Sequence, residues 1–157
     1  MSEKKILSDQ DLDIFAVKKK KVLVGGCFDV FHIGHLRFLE SAKRQGDLLI
    51  VALESDEFIR TKKNRHPFHN QAERAEILSH LDCVDFVIML SYLRGDDDYM
   101  ALVKRIKPEI IAITENDKLI SKKANQAKAV GGELVVVTPF IGNKSSIDLL
   151  KAIKKLD

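Results

Sequence analysis

A short stretch rich in glycine and histidine, residues 25–35, carries the groups best suited to phosphate chemistry. It reads Gly-Gly-Cys-Phe-Asp-Val-Phe-His-Ile-Gly-His. An apolar run precedes it and a helical pattern follows it, which predicts a turn between a strand and a helix. Helix-start amides at the end of a parallel strand are a natural phosphate site. His32 and His35, three residues apart, add donors that can follow charge as it develops on a phosphoryl group.

Composition predicts one soluble domain. The chain has 157 residues, of which 45% are hydrophobic and 31% charged, as is ordinary for a globular protein. The net charge of +3 is too small to indicate nucleic acid as a partner. Basic residues cluster at 18–21, 62–65 and 118–123. Such separate clusters suit a small anionic ligand better than a long polyanion.

Cysteine content and the N-terminal residues predict a cytoplasmic location. Cys27 and Cys83 make no disulfide framework, which favours a reducing compartment. The first residues lack the apolar run of a signal peptide. No stretch approaches the roughly 18 apolar residues that span a bilayer, so no membrane association is expected.

Apolar periodicity predicts five strands, each followed by a helix. The strands lie at residues 22–24, 48–53, 86–90, 110–114 and 133–137, and the helices at 34–45, 71–81, 96–106, 119–130 and 146–156. Gly46 is predicted to cap the first of these helices, and the glycines at 131–132 to stop the fourth. Residues 61–70 are predicted to be a loop. Residues 1–20 are predicted to form an N-terminal helix, at 8–15, and a lysine-rich connector, interpreted as solvated.

Alternation of strands and crossover helices requires a parallel sheet. The predicted fold is therefore α/β: a single doubly wound, Rossmann-like domain with a five-stranded parallel sheet. Ligands of such sheets bind outside the carboxyl ends of the strands. Four segments converge there: residues 25–35, 62–69, 114–118 and 142–146.

The motif Gly26-Cys27-Phe28-Asp29, followed by His32-Ile33-Gly34-His35, resembles the HxGH signature of the nucleotidyltransferase superfamily in its cytidylyltransferase-like branch. The resemblance covers nearly the whole chain, with residues 21–157 as the nucleotidyltransferase domain. It implies transfer of AMP or CMP from a nucleoside triphosphate to a phosphorylated sugar or polyol, with release of pyrophosphate. The motif wording is most similar to the adenylyltransferase domain of ADP-heptose synthase. In its length and in residues 56–58, the chain resembles the glycerol-3-phosphate cytidylyltransferases equally well.

The resemblance also implies roles for particular residues. The predicted catalytic residues are His32, His35 and Lys62, and no protein ligand to a metal is assigned. The predicted substrate- and nucleotide-binding residues are Gly25, Gly26, Cys27, Phe28, Asp29, Gly34, Lys63, Arg74, Asp117, Ser145 and Ser146. Magnesium is expected to accompany the triphosphate. The family implies a homodimer.

Several of these residues have a second interpretation. The lysines at 62–63 could be part of a solvated loop instead of a cover for the triphosphate. Arg74 could form a surface ion pair with Glu73 or Glu76. The serines at 145–146 could simply cap the last helix, which is compatible with phosphate binding.

Other functions also remain open. A dinucleotide-binding module would need Gly-x-Gly-x-x-Gly after the first strand, and this chain lacks that spacing, although Glu54 does end the second strand. A zinc site would need His32 and His35 to meet the pair His66 and His69. A non-catalytic nucleotide sensor is favoured by a departure from the family pattern after the fourth strand. There, Glu115-Asn116-Asp117 replaces the usual glycines before the aspartate.

Overall fold

The computed structural model describes residues 5–138 and 146–155. Strands and helices alternate along most of the chain. The strands are β1 (Ile6–Ser8), β2 (Lys21–Gly26), β3 (Leu48–Leu53), β4 (Phe86–Met89), β5 (Ile110–Thr114) and β6 (Glu133–Thr138). The helices are α1 (Ile33–Lys43), α2 (Asp56–Lys62), α3 (Gln71–Ser79), α4 (Asp96–Ile106), α5 (Ile120–Ala129) and α6 (Ser146–Lys154), with a 3-10 helix at Leu12–Phe15. None of the helices described is long and apolar enough to span a membrane.

The strands form one parallel sheet in the order β1-β4-β3-β2-β5-β6. This confirms the predicted fold class, but the predicted number of strands is wrong, because the sheet has six strands in the described part of the chain. The missed strand is β1, which pairs with β4 so that Ile6 lies opposite Val87. Three residues are too few to give a recognisable strand pattern.

Helices cover both faces of the sheet. On one face, Leu39 and Ala42 of α1 and Leu78 of α3 pack against the strands. On the other face, Leu102 and Val103 of α4 do so, together with the 3-10 helix. Strand β3 is buried on both sides, and its residues 49–53 are at most 5% exposed. Because both faces of β3 are buried, its sequence is an unbroken apolar run.

The N-terminal segment differs from its prediction. In place of a helix over residues 8–15, the chain leaves β1 through a turn in which the N–H of Asp11 donates to the carbonyl of Ser8. The 3-10 helix follows. The lysine run is exposed as predicted through Lys20, but Lys21 is only 5% exposed and begins β2. Its ammonium lies 3.5 Å from Glu109.

Helix α2 was also missed, so the predicted loop over residues 61–70 begins later than expected. Its start carries an ordinary signal, since Ser55 Oγ accepts a hydrogen bond from the N–H of Phe58 and two acids follow Ser55. Lys62 is therefore the last residue of a helix. The loop runs from Lys63 to the capping residue of α3, Asn70.

Glycines were predicted to end two helices, and the structure confirms this for one of them. Helix α1 ends at Lys43 with Arg44 as its cap, so Gly46 is not the cap. Gly46 is instead required by close approach, because a Cβ there would lie 2.7 Å from the carbonyl oxygen of Lys20. Gly131, after α5, does adopt the left-handed conformation, with φ of 74°.

The order of the strands places a crevice beside β2. This strand lies between β3 and β5, and the chain winds in opposite directions on its two sides. At such a switch point the loops diverge and leave space for a ligand. The loop after β2 leads into α1, with His32 as the N-cap of that helix and His35 in its first turn.

Candidate active site

The turn between β2 and α1 is tightly constrained. Phe28 and Val30 both have positive φ values, 47° and 52°, a conformation that costs energy for residues other than glycine. Phe28 is 6% exposed and its ring lies against Gly26, where an added Cβ would be 3.0 Å from the ring. The buried phenyl ring therefore holds the turn in its strained shape.

Hydrogen bonds within the first turn of α1 orient the two histidines. His32 is the N-cap, and its Nδ1 accepts from the N–H of Gly34 at 3.1 Å. Nδ1 of His35 accepts from the N–H of His32 at 3.3 Å. In neutral imidazoles both ring protons are therefore on Nε2. Nε2 of His32 is buried and has no partner within the described structure, so it is ready to donate to a ligand.

The surroundings of the histidines keep both rings neutral. The rings stack with centroids 3.8 Å apart, and that of His35 also lies 5.3 Å from Phe28 and 5.4 Å from Phe31. Burial lowers the pKa of His32. Burial, reinforced by His32 and opposed by Asp29, lowers the pKa of His35 to about 3. The pair therefore offers N–H donors and not positive charge to any group placed beside it.

A cleft of about 200 Å³ opens beside the histidines at the switch point. It brings together predicted site residues from two separate segments, 25–35 and 114–118. Its lining is Gly25, Gly26, Cys27, Phe28, His35, Phe38, Ala112, Thr114, Asp117 and Lys123. A larger groove of about 690 Å³ lies elsewhere, against the 3-10 helix and the end of α4, away from the histidines.

Asp117 lies in the cleft but is already engaged by the protein. Its carboxylate is 2.6 Å from the ammonium of Lys123 and also accepts from the N–H of Leu119 at 2.7 Å. Lys123 was not among the predicted site residues, since nothing in its helical pattern separates it from its neighbour Lys122. The pair places one positive and one negative group on the β5 side of the cleft.

Asp29 ties the turn to the loop before α3. It is 1% exposed and accepts hydrogen bonds from the backbone N–H groups of Phe68 and His69, and its Oδ2 is 2.6 Å from Nη1 of Arg65. Burial alone would raise the pKa of Asp29, but the bonds from Arg65, His69 and Phe68 lower it. The carboxylate of Asp29 is therefore engaged by groups of the protein itself. Its contact with Arg65 was not predicted from the sequence.

The predicted phosphate contact of Arg74 stays a prediction, whereas the alternative of a surface ion pair is wrong. Arg74 is 0% exposed. Its guanidinium donates to the carbonyls of His69, Cys27 and Glu54 and to the carboxylate of Asp56. All of these are protein groups, so Arg74 supports the loops around the cleft from beneath.

The two lysines differ in position. Lys62 ends α2 and Lys63 is the residue that caps it, and both side chains are exposed. The charge of Lys63 opposes the burial that raises the pKa of two groups beside the cleft, Cys27 and Glu54. Burial nevertheless raises the pKa of the Cys27 thiol to about 11, so this cysteine is no nucleophile at neutral pH.

Two of the remaining predicted residues, Gly34 and Ser146, lie at helix starts. Gly34 is in the first turn of α1, where its N–H is used by His32. Ser146 is the first residue of α6, and Ser145 lies outside the described residues. Among the residues that the structure describes, no three histidine, cysteine or acidic side chains are grouped so as to hold a metal ion.

Comparison with known proteins agrees with this geometry. Residues 23–128 match the family model described as cytidylyltransferase-like. The chain belongs to this family. The matched region includes most of β2, both histidines and β5.

Two relatives and one solved structure illustrate the similarity. The chain is 35% identical over 159 residues to the bifunctional protein HldE of Campylobacter fetus, covering 97% of this chain and 32% of that protein. It is 47% identical over 96 residues to an FAD synthase of Thermococcus kodakarensis, covering 61% of this chain and 62% of that one. A lipopolysaccharide core biosynthesis protein from Thermoplasma volcanium superposes with a TM-score of 0.63 at 26% identity, covering 78% of this chain and 96% of that chain. The chain thus spans about a third of the length of the HldE relative.

Proposed function

We propose that this protein is a nucleotidyltransferase, which transfers AMP or CMP from a nucleoside triphosphate to a phosphorylated small molecule and releases pyrophosphate. The observation that carries the proposal is the unpartnered Nε2–H of His32, buried next to a helix start at the switch point of the sheet. A neutral donor placed there fits a phosphoryl oxygen. Family membership supports the same reaction class.

In the proposed mechanism, a phosphate oxygen of the acceptor attacks the α-phosphorus of the triphosphate. The bond from that phosphorus to the bridging oxygen breaks, and pyrophosphate leaves with the electron pair. Such reactions depend mainly on positioning and charge stabilisation. His32 and His35 donate to the phosphoryl oxygens as their charge grows. Lys62, the predicted catalytic lysine, and Lys63 supply positive charge from the end of α2.

Magnesium fits this scheme as part of the triphosphate complex. It needs few protein ligands and retains several waters. Asp117, which lines the cleft, and Asp29, in the turn after β2, already have basic partners, Lys123 and Arg65. We therefore infer that the phosphates supply most of its inner ligands, and that the metal offsets their charge.

For the acceptor, we favour a heptose 1-phosphate with ATP, because the similarity to HldE extends over nearly the whole chain. The FAD synthase relative adds a candidate that the sequence motifs did not suggest. FAD is FMN joined to AMP through a pyrophosphate, so the corresponding acceptor is FMN. Glycerol 3-phosphate with CTP is the third candidate.

The decisive experiment is a grid of pyrophosphate-release assays. ATP and CTP are each combined with heptose 1-phosphate, FMN and glycerol 3-phosphate, using the native protein, His35→Ala and His80→Ala. His80 is exposed and lies at the end of α3, so its variant is the matched control. We expect release with one pair of substrates, abolished only by His35→Ala. Equal activity of His35→Ala and the native protein would refute the site.

The same grid separates the enzyme from a nucleotide sensor. A sensor would bind ATP or CTP in a calorimeter without releasing pyrophosphate on any acceptor. The proposed homodimer is checked by light scattering of the same samples. The cytoplasmic location and the lack of a nucleic-acid partner remain predictions from composition.

A further inference from the structure

Two buried side-chain atoms in the described residues have no hydrogen-bond partner, Nε2 of His32 and Oε2 of Glu54. Buried polar atoms are normally paired, so an orphan at a site marks a place for a ligand atom. His32 is used by the proposed transfer of a nucleotidyl group. Glu54 is not, and it therefore needs an explanation of its own.

Glu54 is fixed beside the cleft. It directly follows β3, and its N–H donates to the carbonyl of Gly26 at 3.0 Å. Its own carbonyl accepts from Nη1 of Arg74, the atom that also donates to the carbonyl of Cys27. Gly26 and Cys27 both line the cleft. The backbone of Glu54 is thus part of the same rigid rim.

The side chain of Glu54 is held at one oxygen only. The hydroxyl of Tyr99, on α4, donates to Oε1 at 2.7 Å. Glu54 is 7% exposed, and this burial raises its pKa even though Tyr99 and the charges of Lys123, Arg74 and Lys63 act to lower it. Tyr99 therefore fixes the direction of the carboxyl group and leaves Oε2 in need of a hydrogen-bond donor.

Glu54 lies on the opposite face of the sheet from His35. Alternate residues of β3, Ile50 and Ala52, belong to the apolar layer under α4 and α5, and Glu54 continues that alternation towards Tyr99. The histidines start α1, which covers the other face. A ligand that touches both must cross the carboxyl edge of the sheet between β2 and β3.

The two sides of β2 can be assigned to the two substrates. The cleft next to the histidines extends towards β5, through Ala112, Thr114 and Asp117, and suits the nucleotide. Glu54 follows β3, on the other side of β2, and we assign that side to the acceptor. An oxygen that lacks a donor there suits a hydroxyl group.

We propose that Oε2 of Glu54, oriented by Tyr99, accepts a hydrogen bond from a hydroxyl group of the phosphorylated acceptor. Glu54 is then a specificity-determining residue that selects polyol or sugar phosphates over phosphates without hydroxyl groups. This inference rests on the proposed function, because it assigns the acceptor side of that same site.

The test compares matched pairs of small phosphates by calorimetry, with a non-hydrolysable ATP analogue present. The pairs are glycerol 3-phosphate with propyl phosphate, and mannose 1-phosphate with cyclohexyl phosphate. We expect the native protein to bind the hydroxylated member of at least one pair about ten-fold or more tightly, as is reasonable for a hydrogen bond to a carboxyl group. Equal or undetectable binding of both members in both pairs would overturn the inference.

The variant Glu54→Met/Tyr99→Phe removes both members of the buried pair, so that neither is left unpaired. We expect it to lose the preference for hydroxyl groups while retaining its affinity for the ATP analogue. Tyr99→Phe alone leaves Glu54 in place and should weaken the preference in part. Glu57→Met, at an exposed glutamate of α2, is the control and should bind as the native protein does.

The outcomes separate this inference from the proposed function. Retention of the preference by the double variant would overturn the role of Glu54 whether or not the protein is an enzyme. Loss of affinity for the ATP analogue in a folded variant would place Glu54 in the nucleotide site instead and would also overturn it. Failure of every pyrophosphate-release assay, with the hydroxyl preference intact, would count against catalysis alone. Circular dichroism confirms folding of each variant.

Discussion

The N–H of His32 donates to Nδ1 of His35 at 3.3 Å, while the two imidazole rings stack 3.8 Å apart. This hydrogen bond has two effects. It satisfies a backbone donor at the start of α1, and it places the ring proton of His35 on Nε2. The first residue of the motif orients the second, which explains why the two are needed at this spacing.

Replacing His32 by Asn separates its capping role from its proposed chemical role. Asn is an equally good N-cap, so the melting temperature should stay near that of the native protein. The variant lacks Nε2, and we expect its turnover to fall by about 10²–10³, as when other positioned donors are removed. Pyrophosphate release at saturating substrate, with His80→Asn as the control, measures the effect. Native turnover in a folded His32→Asn protein would contradict the assignment.

The buried, neutral state of His35 predicts a pH-dependent loss of stability. The pKa of His35 is about 3 in the folded protein, against 6.5 as its ordinary value. Between these values the unfolded chain binds a proton that the folded protein does not. The free energy of unfolding should therefore fall as the pH decreases from about 6.5 towards 3. Only well above pH 6.5, where the unfolded chain also leaves this histidine unprotonated, should the residue contribute no pH dependence.

Thermal melts of the native protein and of His35→Gln between pH 7.5 and 4.5 test this. The glutamine variant cannot take up the proton, so its melting temperature should decrease less with acid. Parallel curves for the two proteins would show that His35 titrates normally when folded. His80→Gln, at an exposed histidine, should follow the native curve.

The sequence predicted those parts of the site that depend on local order along the chain. Residues 25–35 are contiguous, and strand alternation is enough to place them at the carboxyl edge of a parallel sheet. Local pattern also predicted the glycine stop at 131. Such features require only nearest neighbours in the chain, so composition and spacing describe them well.

Helix α2 was missed although the Ser55 cap is a local signal. The other features that were missed depend on contacts between distant segments. Arg74 and Cys27 are 47 positions apart, and Tyr99 and Glu54 are 45 apart. An arginine on a polar helical face gives no sign that it will be buried. The strand β1 is recognisable only from its partner β4, since its own three residues carry no period.

Asp29 should contribute more to loop order than to chemistry. Asp29→Asn removes the charge that faces Arg65 and turns one acceptor oxygen into a donor that faces a backbone N–H. We expect the free energy of unfolding to fall by about 1–3 kcal/mol, as for an unsatisfied buried group. Because Asp29 has a lowered pKa, its contribution is present above about pH 3.8 and is lost below it.

Urea denaturation at pH 7 measures the loss for Asp29→Asn, with Asp97→Asn on the exposed first turn of α4 as the control. Proteolysis should cut the loop between Lys63 and Asn70 faster in Asp29→Asn than in the native protein. Native stability together with unchanged cleavage would show that the loop is held by other contacts.

Arg74 offers the sharpest distinction between supporting a site and binding its ligand. Its planar guanidinium serves four acceptors in fixed directions, and a lysine cannot reproduce them. Arg74→Lys would leave carbonyls of the rim unsatisfied and disturb the buried pair with Asp56, so we expect the free energy of unfolding to fall by about 3 kcal/mol or more. Arg60→Lys, at an exposed arginine of α2, should be neutral. A phosphate-binding arginine would behave in the opposite way, with native stability and a raised KM for the triphosphate, and that result would overturn the structural role given to Arg74.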